Sequence, residues 1–154
     1  MKGYDVEIVT EFAKDKTWEN NTLALRDQAY IFGEQAYRIN RCYKKVEVII
    51  TDSPLLLSII YNKNYPQSFN RFVADVFNNY YNVNYFLTRE KKYNPNGRSQ
   101  TEEEAKIKDK EILNLLNDEK VQYSIVESNV FGYNKVVLDV INIVKNVTMS
   151  SEGI

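Results

Sequence analysis

The sequence predicts an α/β fold in three layers, with a mainly parallel sheet and helices on both of its faces. Four short runs rich in Val, Ile, Tyr and Phe are separated by segments long enough for helices, which is typical of strands joined by helical crossovers. Hydrophobic residues make up 44% of the 154 residues and charged residues 27%, enough to bury a core without disulfides. The length predicts one domain over residues 1–147, followed by a flexible tail over residues 148–154.

Each of the four predicted strands combines β-branched and aromatic residues over a strand-sized stretch. In chain order they are Tyr4–Thr10, Val46–Thr51, Val83–Thr88 and Val121–Glu127.

The intervening segments carry helix-start and helix-break patterns. Ser53 followed by Pro54 predicts an N-cap with proline at the first helical position. Pro66 predicts a break that divides its segment into two helices, because proline removes a donor and clashes with the preceding turn. The predicted helical segments are Glu19–Lys44, Pro54–Tyr81, Thr101–Glu119 and Val130–Asn146.

Composition excludes several classes of site. The absence of His removes imidazole bases and the usual zinc ligand sets, and the single Cys42 is predicted to be a small side chain that is buried or half-buried. With 20 basic against 21 acidic residues, nothing indicates a protein that coats DNA, and a nucleic-acid partner is not expected. No long apolar run or signal segment is present, so we expect a cytoplasmic protein without a membrane partner.

Asp52 is the first candidate for chemistry. It follows directly on a predicted strand, and ligands of parallel α/β sheets gather at the carboxyl ends of the strands. A carboxylate there can hold Mg²⁺ or accept a proton from a hydroxyl group. The alternative is that Asp52 and Ser53 only cap the next helix.

Glu11 and Asp15 follow the first predicted strand and form a second candidate. Their spacing of four places them on one helix face if the segment is helical. Such a pair could bind a hydroxyl-bearing substrate, or it could simply favour the first turn of a helix through the helix dipole.

The stretch Arg89–Gln100 is the third candidate. It has no apolar periodicity and contains the turn dipeptides Asn-Pro and Asn-Gly, so we expect an exposed, mobile loop hinged at Gly97. Cationic side chains that close over a polyphosphate neutralise its charge during phosphoryl transfer, although a simply solvated loop has the same composition. The candidate phosphate-binding residues are Arg89, Lys91, Lys92 and Arg98.

Four longer stretches stand in order along the chain: TEFAKD, ALRDQAYIFGEQ, VIITDSPLLLSIIY and YNPNGRSQTEEEAK. Together they resemble the phage-encoded AAA/P-loop proteins related to nicotinamide riboside kinase and other small nucleoside or nucleotide kinases. The resemblance covers roughly Gly3–Lys145.

This resemblance implies a role for each candidate. Asp52 would be the catalytic, Mg²⁺-linked acid of a Walker B-like strand, with Mg²⁺ and ATP as cofactors. The segment Arg89–Arg98 would be the basic lid, with Arg98 contacting phosphate, and Glu11 and Asp15 would lie near the pocket of the phosphate acceptor.

One feature of that family is missing from the sequence. Its phosphate loop has the pattern G-x-x-x-x-G-K-[ST], and no Gly here is followed by Lys. The strand that precedes the loop would be the central one, beside the VIITD strand. Its loss predicts a truncated P-loop kinase-like sheet that is completed by re-pairing, by a homodimer or by a protein partner.

Two hypotheses for function follow. The first is a degenerate nucleoside or nucleotide kinase-like protein that binds nucleotide or phosphate but lacks phosphotransferase activity in this form. The alternative is a non-catalytic, phage-encoded interaction protein, such as an inhibitor of a host defence protein, in which Tyr80, Tyr81 and Tyr85 contribute to a binding surface.

Overall fold

The computed structural model describes residues 3–88 and 102–151, which form two compact units. The first unit comprises residues 3–82 and 102–120, and the second comprises residues 83–88 and 121–151. The elements are β1 Val6–Val9, α1 Phe12–Trp18, α2 Thr22–Arg26, α3 Gln28–Asn40, β2 Val48–Thr51, α4 Leu57–Tyr61, α5 Gln67–Asn78, β3 Asn84–Thr88, α6 Glu102–Asp118, β4 Tyr123–Glu127 and α7 Val130–Ser151.

The three-layer, mainly parallel sheet predicted from the sequence is wrong. All four strands lie within the predicted runs, but they form two separate two-stranded parallel sheets, β1 with β2 and β3 with β4. A common sheet needs backbone hydrogen bonds between an edge of one pair and an edge of the other. The four β-rich runs are all used within the two pairs, so the described residues contain no further strand that could connect them. The single truncated kinase-like sheet implied by the resemblance is therefore absent from this part of the chain.

The core of the first unit is built around one face of α3. Its buried positions recur at helical spacing, and the ring of Phe32 packs edge-on against Phe69 and Phe72, with ring centroids 6.0 and 5.6 Å away. Cys42 is buried, as predicted. The buried apolar side chains of this unit include Val9, Phe12, Ile31, Phe32, Ala36, Ile39, Leu55, Leu56, Val73, Ala74 and Phe77.

The segment after β2 is only partly as predicted. Two helices are present, and Pro66 is the N-cap residue of α5, so the break at this proline is confirmed. The predicted helix start at Ser53 is wrong: α4 begins at Leu57, and its N-cap residue Leu56 makes no side-chain cap hydrogen bond. Asp52 and Ser53 therefore do not cap α4.

The second unit consists of β3, β4 and α7. The Asn129 side chain accepts hydrogen bonds from the backbone amides of Phe131 and Gly132, which satisfies two of the open donors at the start of α7. Tyr85 donates its hydroxyl hydrogen to Asp139 at 2.6 Å. Burial of the phenol, together with this bond, raises the pKa of Tyr85 above its ordinary value.

Among the helices described, none is both long and apolar enough to cross a membrane. Thr101, where the third predicted helical segment begins, and residues 152–154 of the predicted tail lie outside the described residues.

Candidate functional site

A cleft of about 460 Å³ lies in the first unit at the carboxyl ends of β1 and β2. Its volume is within the range of small-molecule sites, roughly 300–1,000 Å³. The walls are partly apolar, with contributions from α2, α3 and the segment after β2. The polar lining residues are Glu11, Lys14, Thr17, Gln28, Gln35, Asp52, Ser53, Ser58 and Tyr61.

The strand register brings two carboxylates to this cleft. Val9 pairs with Thr51 at the end of the ladder, so the two strands finish level with each other. Asp52 follows immediately, and Glu11 stands two residues beyond Val9 as the N-cap residue of α1. Two of the predicted site residues, far apart in sequence, thus line one cleft.

The Gln35 side chain connects the segments that follow the carboxyl ends of β1 and β2. Its side chain is 3% exposed, and its Oε1 accepts a hydrogen bond from the backbone amide of Phe12 at 2.9 Å. Its Nε2 donates to Thr51 Oγ1 at 3.4 Å, and the same Oγ1 accepts from the backbone amide of Ser53 at 3.1 Å. One buried glutamine therefore holds the segments that carry Glu11 and Asp52.

Asp15 is placed differently from Glu11. Its carboxylate accepts a hydrogen bond from Arg38 Nη2 at 2.6 Å and is absent from the cleft lining. The Arg38 guanidinium also donates to the carbonyl and the hydroxyl of Thr10, and it lies 4.9 Å from the centre of the Phe12 ring. Asp15 and Arg38 therefore join α1, α3 and the end of β1, beside the cleft and outside it.

Asp52 is exposed at the mouth of the cleft, and no described residue forms a hydrogen bond or an ion pair with its carboxylate. Asp52 also does not cap α4, so its carboxylate has no structural role among the described residues. Lys14 is the cationic member of the described lining, against the two carboxylates of Glu11 and Asp52. This surplus of carboxylates favours ligands that present hydroxyl groups or cations.

The inner part of the cleft carries polar side chains that sequence analysis missed. Gln28 is 5% exposed and Ser58 is 6% exposed, and both line the cleft. A pattern that could have revealed the glutamines is present: Gln28 and Gln35 lie seven residues apart on the apolar face of α3, where polar side chains are unusual unless they have a specific partner.

The start of α3, which places Gln28, is held by Asp27. The carboxylate accepts from the backbone amide of Tyr30 at 3.0 Å and from the Tyr65 hydroxyl at 2.7 Å. Both bonds favour the ionised form and lower the pKa of Asp27. The Asn64 side chain also donates to the carbonyl of Arg26, so the segment before α5 is tied to the entry of α3 at two points.

Asp52 and its neighbour Ser53 supply part of the oxygen ligand set that Mg²⁺ requires. Mg²⁺ is usually bound through one or two carboxylates together with water and ligand phosphates, and Asp52 with the neighbouring Ser53 hydroxyl fits such a partial site. No group of three or more acidic or thiol ligands occurs within residues 3–88 and 102–151. A metal here would depend on oxygens from the ligand. The predicted phosphate-binding residues Arg89, Lys91, Lys92 and Arg98 lie outside the described residues.

Comparisons with protein-family models, with curated proteins and with solved structures each gave no match to this chain.

Proposed function

We propose that this chain binds a nucleoside or nucleotide in the cleft at the carboxyl ends of β1 and β2. The observation that carries the proposal is the convergence of Glu11 and Asp52 on one cleft of suitable volume, where no described residue bonds to the Asp52 carboxylate. The kinase relationship inferred from sequence resemblance agrees with this ligand class.

The lining suits a molecule with two different ends. Leu25, Ile31 and Leu55 provide apolar wall against which a flat heterocycle can pack. The carboxylates of Glu11 and Asp52 are acceptors for the hydroxyl groups of a sugar, and such bonds to a charged acceptor are stronger than those between neutral groups. A nucleoside combines both kinds of group in one small molecule.

The phosphates of a nucleotide need other partners, because the described lining has Lys14 as its cationic side chain. We assign them to Arg98, and Asp52 would hold Mg²⁺ together with oxygens of the phosphates. Phosphoryl transfer depends on a positioned phosphate cradle, and the sequence has no Gly-Lys pair to build one. The proposed activity is therefore binding of nucleotide without efficient transfer by this chain alone.

The first test is isothermal titration with Mg-ATP and with adenosine. The exchange Asp52→Asn is expected to weaken binding of both ligands about tenfold, because it replaces a charged acceptor with a neutral one. Arg98→Ala is expected to weaken binding of Mg-ATP while leaving adenosine unaffected.

Asp75→Asn is the matched control, since Asp75 is exposed on α5 and is not part of the cleft lining. Absence of binding by the folded wild-type chain, or equal affinity in Asp52→Asn and Asp75→Asn, would contradict the proposal.

A second candidate function, binding of a protein or of another copy of this chain, is favoured by the open sheets. Ile8 and Ile50 are paired in register and are 67% and 52% exposed, although parallel sheets are normally covered on both faces. Of the three tyrosines expected on a binding surface, Tyr80 and Tyr85 make hydrogen bonds within the chain, and Tyr81 is exposed.

Light scattering tests whether the chain pairs with a second copy of itself. The wild-type chain is expected to show twice its mass of 18.1 kDa, and Ile8→Lys to reduce this to a single mass, because a lysine on a covered face must be desolvated. Leu23→Lys, at an exposed position on α2, is the control. A wild-type chain that is monomeric at micromolar concentration would contradict pairing with a second copy.

A further inference from the structure

Two polar groups in the inner part of the cleft have no hydrogen-bond partner among the described residues. No described residue exchanges a hydrogen bond with Ser58 Oγ. Gln28 donates from Nε2 to the carbonyl of Leu25 at 3.0 Å, while its Oε1 accepts from none of the described residues. Each side chain is more than nine-tenths buried, so little of its surface is left for contact with water.

The remaining accessible surface of these atoms is at the cleft. Within the described part of the chain, every side-chain nitrogen or oxygen that is fully removed from solvent has a hydrogen-bond partner. The Ser58 hydroxyl and the Gln28 carbonyl are therefore not fully removed from solvent, and the surface that both residues line is the cleft. They present one acceptor and one group that can donate or accept.

We infer that Gln28 and Ser58 bind an uncharged group that carries a hydrogen-bond donor beside an acceptor, the arrangement found along the edge of a nucleobase. This inference rests on the proposed function for the location of the ligand. It adds the orientation of the ligand in the cleft. The heterocycle lies inside, and the sugar lies at the mouth with Glu11 and Asp52.

The charges of the lining favour this orientation over its reverse. The charged side chains Glu11, Lys14 and Asp52 come from the ends of the two strands and the start of α1, whereas Gln28 and Ser58 are neutral and buried. A phosphate that entered first would meet a neutral, partly apolar surface and lose its hydration without a cationic partner. An uncharged ring edge replaces its water contacts with Gln28 Oε1 and Ser58 Oγ.

Ser58→Ala provides the sharpest test, because the Ser58 hydroxyl bonds to no described residue and its removal breaks no hydrogen bond among them. The thermal midpoint of unfolding is expected to be unchanged or slightly higher. The affinity for the tightest-binding nucleoside among adenosine, cytidine, guanosine and uridine is expected to fall about fivefold, the effect of one neutral hydrogen bond. Gln28→Met is expected to lower that affinity about tenfold, and Ser68→Ala, at an exposed position on α5, is the matched control.

The free bases adenine, cytosine and uracil, together with ribose, separate this inference from the proposed function. Binding of the bases to the wild-type chain that is weakened by Ser58→Ala, without binding of any nucleoside or of Mg-ATP, would support the inference and overturn the proposed function. Nucleosides that bind wild type, Ser58→Ala and Gln28→Met equally would overturn the inference alone. Ribose that binds the wild-type chain as tightly as the nucleosides do would also overturn the inference. If neither bases nor nucleosides bind, the inference and the proposed function are both overturned.

Discussion

Replacing Gly132 with alanine is expected to destabilise the chain by about 3 kcal/mol, because the added methyl group meets backbone that cannot move aside. A Cβ atom at this position would lie 1.9 Å from the carbonyl oxygen of Glu127 and 2.8 Å from Val126 Cγ1. The close approach of α7 to the end of β4 therefore requires glycine. Urea denaturation measures the loss, and hydrogen exchange at the amides of β4 should become faster.

Gly33→Ala is the control for this prediction. Gly33 lies within α3, and apart from its chain neighbours and the adjacent backbone of α3 no described heavy atom is within 4 Å of the Cβ that alanine would add. The same exchange is expected to stabilise the chain there by about 0.5–1 kcal/mol, since alanine has the higher helix propensity. Equal effects at Gly132 and Gly33 would show that the predicted clash is relieved at little cost.

Gln35→Leu is expected to lower the free energy of unfolding by about 2 kcal/mol and to weaken ligand binding about tenfold. Leucine has a similar volume but leaves the buried amide of Phe12 without an acceptor and removes the bond to Thr51. The segments that carry Glu11 and Asp52 would then lose their shared anchor. Denaturation and titration with Mg-ATP measure the two effects separately.

Gln122→Leu makes the same exchange at an exposed position between α6 and β4, where little change is expected. If Gln35→Leu and Gln122→Leu have the same stability and the same affinity, a positioning role for Gln35 is contradicted. A loss of stability without a loss of affinity would restrict Gln35 to the fold.

The elements of the fold were largely predictable from local sequence. All four strands fall inside the β-rich runs, because β-branched and aromatic residues favour extended backbone wherever a few of them are adjacent. The break at Pro66 was predictable for an equally local reason, the missing amide of proline. The start of α4 was not, since Ser53 donates its amide to Thr51 Oγ1 and the helix begins later, at Leu57.

The candidate site was predictable only in part. The position of Asp52 after a strand indicated the correct end of the β1–β2 pair, and Glu11 reaches the same cleft. Asp15 has an identical charge and a similar position, but its partner Arg38 comes from α3, and no spacing rule predicts that ion pair. Gln28 was missed although its spacing from Gln35 on the apolar face of α3 could have revealed it. Ser58 was missed because nothing in its sequence neighbourhood shows that it lines a cleft.

By itself, the sequence determined where the four strands lie, that Pro66 separates two helices, that the chain contains no histidine, and that a carboxylate follows the second strand. Only the tertiary structure decided that the strands form two separate pairs and that Glu11 and Asp52 share a cleft with Gln28 and Ser58. The physical reason is the range of the interactions. Propensity and helix periodicity act over a few residues, whereas strand pairing, the Gln35 bonds and the burial of Ser58 depend on groups that are distant in sequence and are brought together by folding.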